Sequence, residues 1–145
     1  AVAGTMFLSL GAAGGSAQGT TEPTGLIAWT DFDRAQARAL ADEGRLVFVD
    51  VTADWCFTCK ANERLVLETE TIASAFERHG VIPMRADWTN RSDDIARFLA
   101  DHGRYSIPFY LLYRPGQEPH LFGEVLRKGQ VLAALEESSP KTAIR

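Results

Sequence analysis

Apolar residues along this chain form either short continuous runs or longer stretches in which they recur every three or four positions. The runs Arg45–Val51 (RLVFVDV) and Ile107–Tyr113 (IPFYLLY) are rich in β-branched and aromatic residues and too short for helices. They predict buried strands, the first of them central. Val81–Asp87 (VIPMRAD) predicts another, with Pro83 marking an edge or irregular position because proline has no N–H for a ladder. Leu26–Trp29 predicts a short edge strand, and His120–Val125 the partner of a hairpin that turns through Pro115–Pro119.

Between these runs the spacing changes to that of helices. Thr30-Asp31-Phe32-Asp33 has the form of a capping start, and the following helix carries Phe32, Ala35, Ala39 and Leu40 up to Gly44. A long helix is expected from Cys56 to about His79, kinked near Thr69–Thr71, with Leu65, Ile72, Ala75 and Phe76 inward and Gly80 as its stop. Ser92 or Thr89 caps a helix through Ile95, Phe98 and Leu99 to Gly103. A last helix, from about Lys128 to Glu137, packs Val131, Leu132 and Leu135. The order β-α-β-α-β-α-β-β-α predicts an α/β domain with a central mixed sheet, helices on both faces and an antiparallel edge.

The chain has 145 residues, 46% of them hydrophobic, enough for one domain with its own core. A net charge of −4 without a lysine-arginine cluster argues against a nucleic-acid partner. The uncharged, apolar stretch Ala1–Ala13 is too short to span a bilayer and lacks the basic start of a signal peptide. The reading favoured here is the end of a longer membrane helix followed by a flexible Gly/Ser/Thr linker. The alternative is a tail of no consequence. The expected division is thus 1–25 membrane end and linker, 26–138 domain, and 139–145 tail.

The chemistry concentrates at Trp55-Cys56-Phe57-Thr58-Cys59-Lys60, which holds both cysteines of the chain. A helix opening at Cys56 aims unpaired N–H groups at that sulfur and favours its thiolate. Cys59 lies one turn on, placed to close a disulfide with it. Zinc would need further ligands, but there is no third cysteine and His79, His102 and His120 are scattered. A purely structural disulfide closing so short a loop would add little stability. The remaining reading is a redox dithiol of thioredoxin type, with Cys56 the exposed nucleophile, Cys59 the shielded resolving thiol, and no cofactor beyond that pair.

Other residues are candidates for the same site. Trp55 packs beside the cysteines or serves only as core. Ile107-Pro108 opens a strand, where a cis bond in a tight turn is plausible and the Ile107 backbone could pair with an extended peptide. Asp50 ends an otherwise apolar strand six residues before Cys56, and Glu63 follows Cys59 by one turn. A buried carboxylate near a thiol disfavours its thiolate and can accept its proton, unless Glu63 is simply solvated.

The string Val49-Asp50-Val51-Thr52-Ala53-Asp54-Trp55-Cys56-Phe57-Thr58-Cys59-Lys60-Ala61-Asn62-Glu63 resembles the active-site segment of the C-terminal periplasmic domain of the DsbD thiol:disulfide interchange proteins and their ScsB relatives. Ala86-Asp87-Trp88-Thr89 and the segment Gly103 to Tyr113 share the likeness, which covers Leu26 to about Glu137. It implies a thioredoxin fold and a protein-disulfide reductase domain on the periplasmic side of the inner membrane. Electrons would come from a transmembrane domain of the same full-length protein and pass to thioredoxin-fold partners or an N-terminal domain. By that resemblance Asp50 and Glu63 tune the nucleophilic cysteine, Pro108 is cis, and Trp55, Phe57, Thr58 and Ile107 meet the partner. Ser106-Ile107-Pro108 departs from the more usual Gly-Val-Pro, which bears on partner preference. A free-standing thioredoxin-like or cytochrome-maturation reductase, and a copper(I)-binding module using the two cysteines, are the competing readings.

Overall fold

In the computed structural model, which describes residues 25–139, strand β2 (Val47–Thr52) is buried at every position and organises both halves of the core. Successive side chains of a strand point to opposite faces. Val47, Val49 and Val51 therefore meet α1 (Arg34–Asp42) and α4 (Asp93–Asp101) through Ala37, Ala41, Phe98 and Leu99. Phe48 points the other way, into a cluster with Ile72, Phe76, Val131 and Leu135 of α3 (Glu70–Arg78) and α5 (Lys128–Ser138). Asp50 and Thr52 share that second parity, which puts two polar side chains on an otherwise apolar face.

The five-stranded sheet runs β1-β3-β2-β4-β5, with β1 Thr30–Asp31, β3 Ile82–Asp87, β4 Phe109–Tyr113 and β5 His120–Leu121. β3 lies parallel to β1 and β2, whereas β4 is antiparallel to both β2 and β5. The mixed sheet and flanking helices are as expected from the sequence; the reversal lies at its centre, between β2 and β4, as well as at the hairpin edge.

Several boundaries differ from the expected ones, each for a local reason. Residues 26–29 form no strand, because the Leu26 and Ile27 N–H groups donate to the Glu68 carboxylate instead of a ladder. The first helix is capped by Asp33, whose side chain accepts from the Gln36 N–H at 2.9 Å, and not by Thr30, which pairs in β1. Replacing a good N-cap by alanine costs about 1 kcal/mol. Asp33→Ala should therefore lower the urea midpoint without changing the slope, and an unmoved midpoint would show that the cap contributes nothing.

Pro83 lies within an interior strand and not at an edge. Its carbonyl faces β1, where it accepts from Thr30 Oγ1, and the β1 ladder begins only at Met84. The missing N–H thus falls beyond the end of the neighbouring strand. The predicted strand His120–Val125 stops at Leu121, since Asn62 takes the Glu124 carbonyl and the Leu126 N–H. Gly44 (φ +96°) and Gly80 (φ +62°) close α1 and α3 in the left-handed conformation that glycine adopts without a Cβ penalty.

The predicted long helix is divided. Six residues of α2 (Phe57–Asn62) pass into a π-helical turn at Glu63–Leu67, and the chain breaks at Glu68-Thr69 before α3. The break falls beside the expected kink. The reading of residues 1–25 as a membrane end and linker lies, apart from Gly25, outside the described residues. Among those described, no helix is long and apolar enough to cross a membrane.

Candidate active site

Leaving β2, the chain turns through Ala53-Asp54-Trp55 and enters α2 with Cys56 as its N-cap. The Cys56 Sγ accepts from the Cys59 N–H at 3.2 Å and is bonded to the Cys59 sulfur. The turn is braced from the β3–α4 connection. Thr89 Oγ1 accepts from the Asp54 N–H at 2.9 Å, the Thr89 carbonyl from Trp55 Nε1 at 3.3 Å, and Asp87 accepts from Thr89. Those hydrogen bonds hold the Asp87 carboxyl below its usual range.

Cys59 is fully buried, but Cys56 is only 6% exposed, less than its expected role as an exposed nucleophile suggested. Ala53 and Ile107 pack against the two cysteines. The Ile107–Pro108 peptide is cis, as expected, and Pro108 is buried. Around this small opening Phe57 is 91% and Trp55 59% exposed, and Thr58 is exposed too. Tyr105, in the loop leading to Pro108, was not singled out from sequence and is 80% exposed. Solvated aromatic side chains beside a nearly closed disulfide offer apolar area to a docking protein.

At the C-terminal end of the cysteine helix lies a charged cluster. Asp50, fully buried on β2, faces Arg85 on β3, its partner in the parallel register. Arg85 Nε donates to Asp50 Oδ2 at 3.0 Å; Nη2 is also 3.0 Å from that oxygen, in ion-pair range but without hydrogen-bond alignment. Asp50 Oδ1 is buried with no partner. Glu63 accepts from Thr52 Oγ1 at 2.8 Å, pairs with Lys60 at 3.3 Å, and lies 3.9 Å from Arg85 Nη2. Its side chain is 14% exposed, so the simply solvated reading fails.

Burial pushes the Asp50 carboxyl up to about 7, against the pull of Arg85 and with a further push from Glu63. Tyr110, register partner of Asp50 on β4, is raised as well, by burial and by the Asp50 charge. The cluster joins Asp50 and Glu63 as the sequence reading expected. It also contains Arg85, Thr52 and, packed on the Arg85 guanidinium, Trp29, which that reading missed. The signal for Arg85 was present: a lone basic residue within VIPMRAD has to be met by something if the strand is interior. Among the described residues no group of three or more His, Cys, Asp or Glu is placed to hold a metal ion.

Residues 28–115 match the family described as Thioredoxin-like. The chain belongs to this thioredoxin-like family. With the Cys56–Cys59 disulfide in that fold, it is a thiol-disulfide oxidoreductase domain. Solved structures agree on the fold. The DsbD C-terminal domain of Neisseria meningitidis in the reduced form is 19% identical with a TM-score of 0.58, over 75% of this chain and 99% of that one. Its oxidised form has the same identity and TM-score over 77% and 99%. Thioredoxin from Trypanosoma brucei brucei is 23% identical with a TM-score of 0.53, over 80% and 95%. A comparison with curated proteins finds no match.

Proposed function

We propose that this thioredoxin-like domain is a periplasmic protein-disulfide reductase of the DsbD and ScsB kind, a relay on the periplasmic side of the bacterial inner membrane. It receives electrons from a transmembrane domain of the same full-length protein and passes them to periplasmic thioredoxin-fold proteins or an N-terminal domain. The observation that carries this reading is the pair of shielded carboxylates, Asp50 on the strand that leads into the cysteine turn and Glu63 directly after the cysteine helix, with exposed Trp55 and Phe57 on either side of Cys56. Like charge in a poorly solvated site disfavours a resting thiolate, which protects a relay thiol from wasteful oxidation until a partner docks.

The exchange balances as follows. A donor dithiol is oxidised to a disulfide while the Cys56–Cys59 bond opens to two thiols, two electrons and two protons passing across. The Cys56 thiolate attacks a partner disulfide, forming a mixed disulfide and releasing one partner sulfur, which takes up a proton. Cys59 then loses its proton and attacks Cys56, restoring the intramolecular bond and releasing the second partner thiol.

The test offers the oxidised domain two electron sources: vesicles bearing the transmembrane domain with reduced thioredoxin on the opposite side, or NADPH with thioredoxin reductase alone. The relay reading expects rapid reduction by the first and little by the second, followed by transfer to a thioredoxin-fold acceptor. Efficient reduction by thioredoxin reductase alone would favour the free-standing reductase. Stoichiometric copper(I) retained by the reduced protein would favour a metal module.

A further inference from the structure

We propose that Trp29 is a positioning residue of the redox centre: latched by Glu68 and packed on Arg85, it holds that guanidinium against Asp50 and Glu63, so the segment Gly25–Trp29 is a strap whose seating sets the charge behind the disulfide. The guanidinium carbon of Arg85 lies 4.1 Å from the Trp29 ring centroid, a cation–π arrangement. Trp29 is itself fixed from two sides. Its ring packs on Phe48 and Phe76 at centroid distances of 6.2 and 6.5 Å, and its Nε1 donates to Glu68 Oε1 at 2.8 Å.

The other Glu68 oxygen accepts from the N–H groups of Leu26 and Ile27 at 2.7 and 3.3 Å. A Cβ on Gly25 would come within 2.4 Å of that same oxygen, so a side chain there would have to push the Glu68 carboxylate aside. Glu68 follows directly on the π-helical turn that carries Glu63. One carboxylate therefore ties the strap to the continuation of the cysteine helix, and one indole ties it to the cation between the two site carboxylates.

Arg85 is 27% exposed and could otherwise turn to water. With Trp29 in place it stays on Asp50. The charged and titratable groups facing Asp50 are Arg85 from β3, Glu63 from the π-helical turn, Lys60 from α2 and Tyr110 from β4. Arg85 makes the only direct ion pair to Asp50 among the described residues. Loss of its seating leaves burial and the Glu63 charge, which favour the protonated carboxyl, opposed only by Lys60 among the groups named.

The proposal rests on the oxidoreductase reading for its consequence but not for its test. In the oxidised protein, the side-chain carboxyl carbon of Asp50 is titrated by NMR in wild type, Trp29→Leu, Trp29→Phe, Glu68→Ala, Arg85→Gln and Trp29→Leu with Arg85→Gln. Trp29→Leu should move the Asp50 midpoint upward by about half a unit or more, an effect typical of weakening a charge contact. Trp29→Phe, which keeps a ring face, should restore most of the wild-type midpoint. Glu68→Ala should move it less, in the same direction, and serves as the reading should Trp29→Leu not fold. In the Arg85→Gln background Trp29→Leu should add nothing. An unmoved midpoint, or an equal shift with and without Arg85, would overturn the proposal. Insulin reduction by the wild type, measured separately, tests the redox reading on its own.

Discussion

Cys56→Ala should abolish protein-disulfide reduction and trap no partner, whereas Cys59→Ala should accumulate a mixed disulfide through Cys56. The asymmetry follows from where the two sulfurs sit. Cys56 caps α2 with its Sγ facing the Cys59 N–H, a hydrogen bond that favours a thiolate there, and it retains the sliver of surface that Cys59 lacks. The exposed aromatic side chains of Trp55 and Phe57 flank Cys56 in sequence, so a partner docked on them meets that sulfur first. Without Cys59 the mixed disulfide has no internal thiol to resolve it. The check is a non-reducing gel with an oxidised thioredoxin-fold acceptor, next to an insulin-reduction assay. Equal trapping by both variants would overturn the assignment, and so would trapping by Cys56→Ala alone.

The elements that were legible in the sequence are those in which one physical rule dominates. RLVFVDV could be little other than a buried strand, and glycines after α1, α3 and α4 marked real helix ends. The site was legible for a related reason. Two cysteines at helical spacing after a strand leave few alternatives, and a carboxylate inside an apolar run requires a compensating environment. Failures came where a side chain from elsewhere in the chain took a backbone group's hydrogen bonds. Glu68 diverts residues 26 and 27 from the sheet, and Asn62 stops β5 after Leu121; neither competition is visible in a local pattern. The π-helical turn belongs to the same class. It sits where Glu63, Asn62 and Glu68 each have a distant partner to reach, and spacing alone reads the segment as continuous helix.

Arg85 changes the expected electrostatics of the site more than any boundary does. Two carboxylates behind a thiol would simply repel its ionised form; with a guanidinium 3.0 Å from one and 3.9 Å from the other, that repulsion is partly neutralised. The energetic cost then falls mainly on Asp50, which is completely buried and has one oxygen unpaired.

Asp50→Asn should therefore stabilise the oxidised protein, by an amount that depends on pH. The carboxyl stands at about 7 in the folded chain against an ordinary 3.8, so between those values the folded state holds a proton that the unfolded state has released. Unfolding in this window releases the proton, and wild-type stability falls as pH rises through it. Below about pH 4 the carboxyl is neutral in both states and contributes nothing of this kind. Above pH 7 the full cost is present. At about 1.4 kcal/mol per unit the shift amounts to roughly 4 kcal/mol. Asparagine has nearly the same shape and no charge to desolvate, and the pull of Arg85 that is lost with the charge is already contained in that shift. Arg85 itself is 27% exposed and keeps Glu63 nearby. The net gain expected at pH 8 is about 2–4 kcal/mol, declining to near zero at pH 4. Urea unfolding of both proteins with the disulfide intact, repeated across that range, gives the difference directly. A difference that does not vary with pH, or a variant less stable than wild type at pH 8, would show that the buried carboxylate is not the destabilising group it is taken to be.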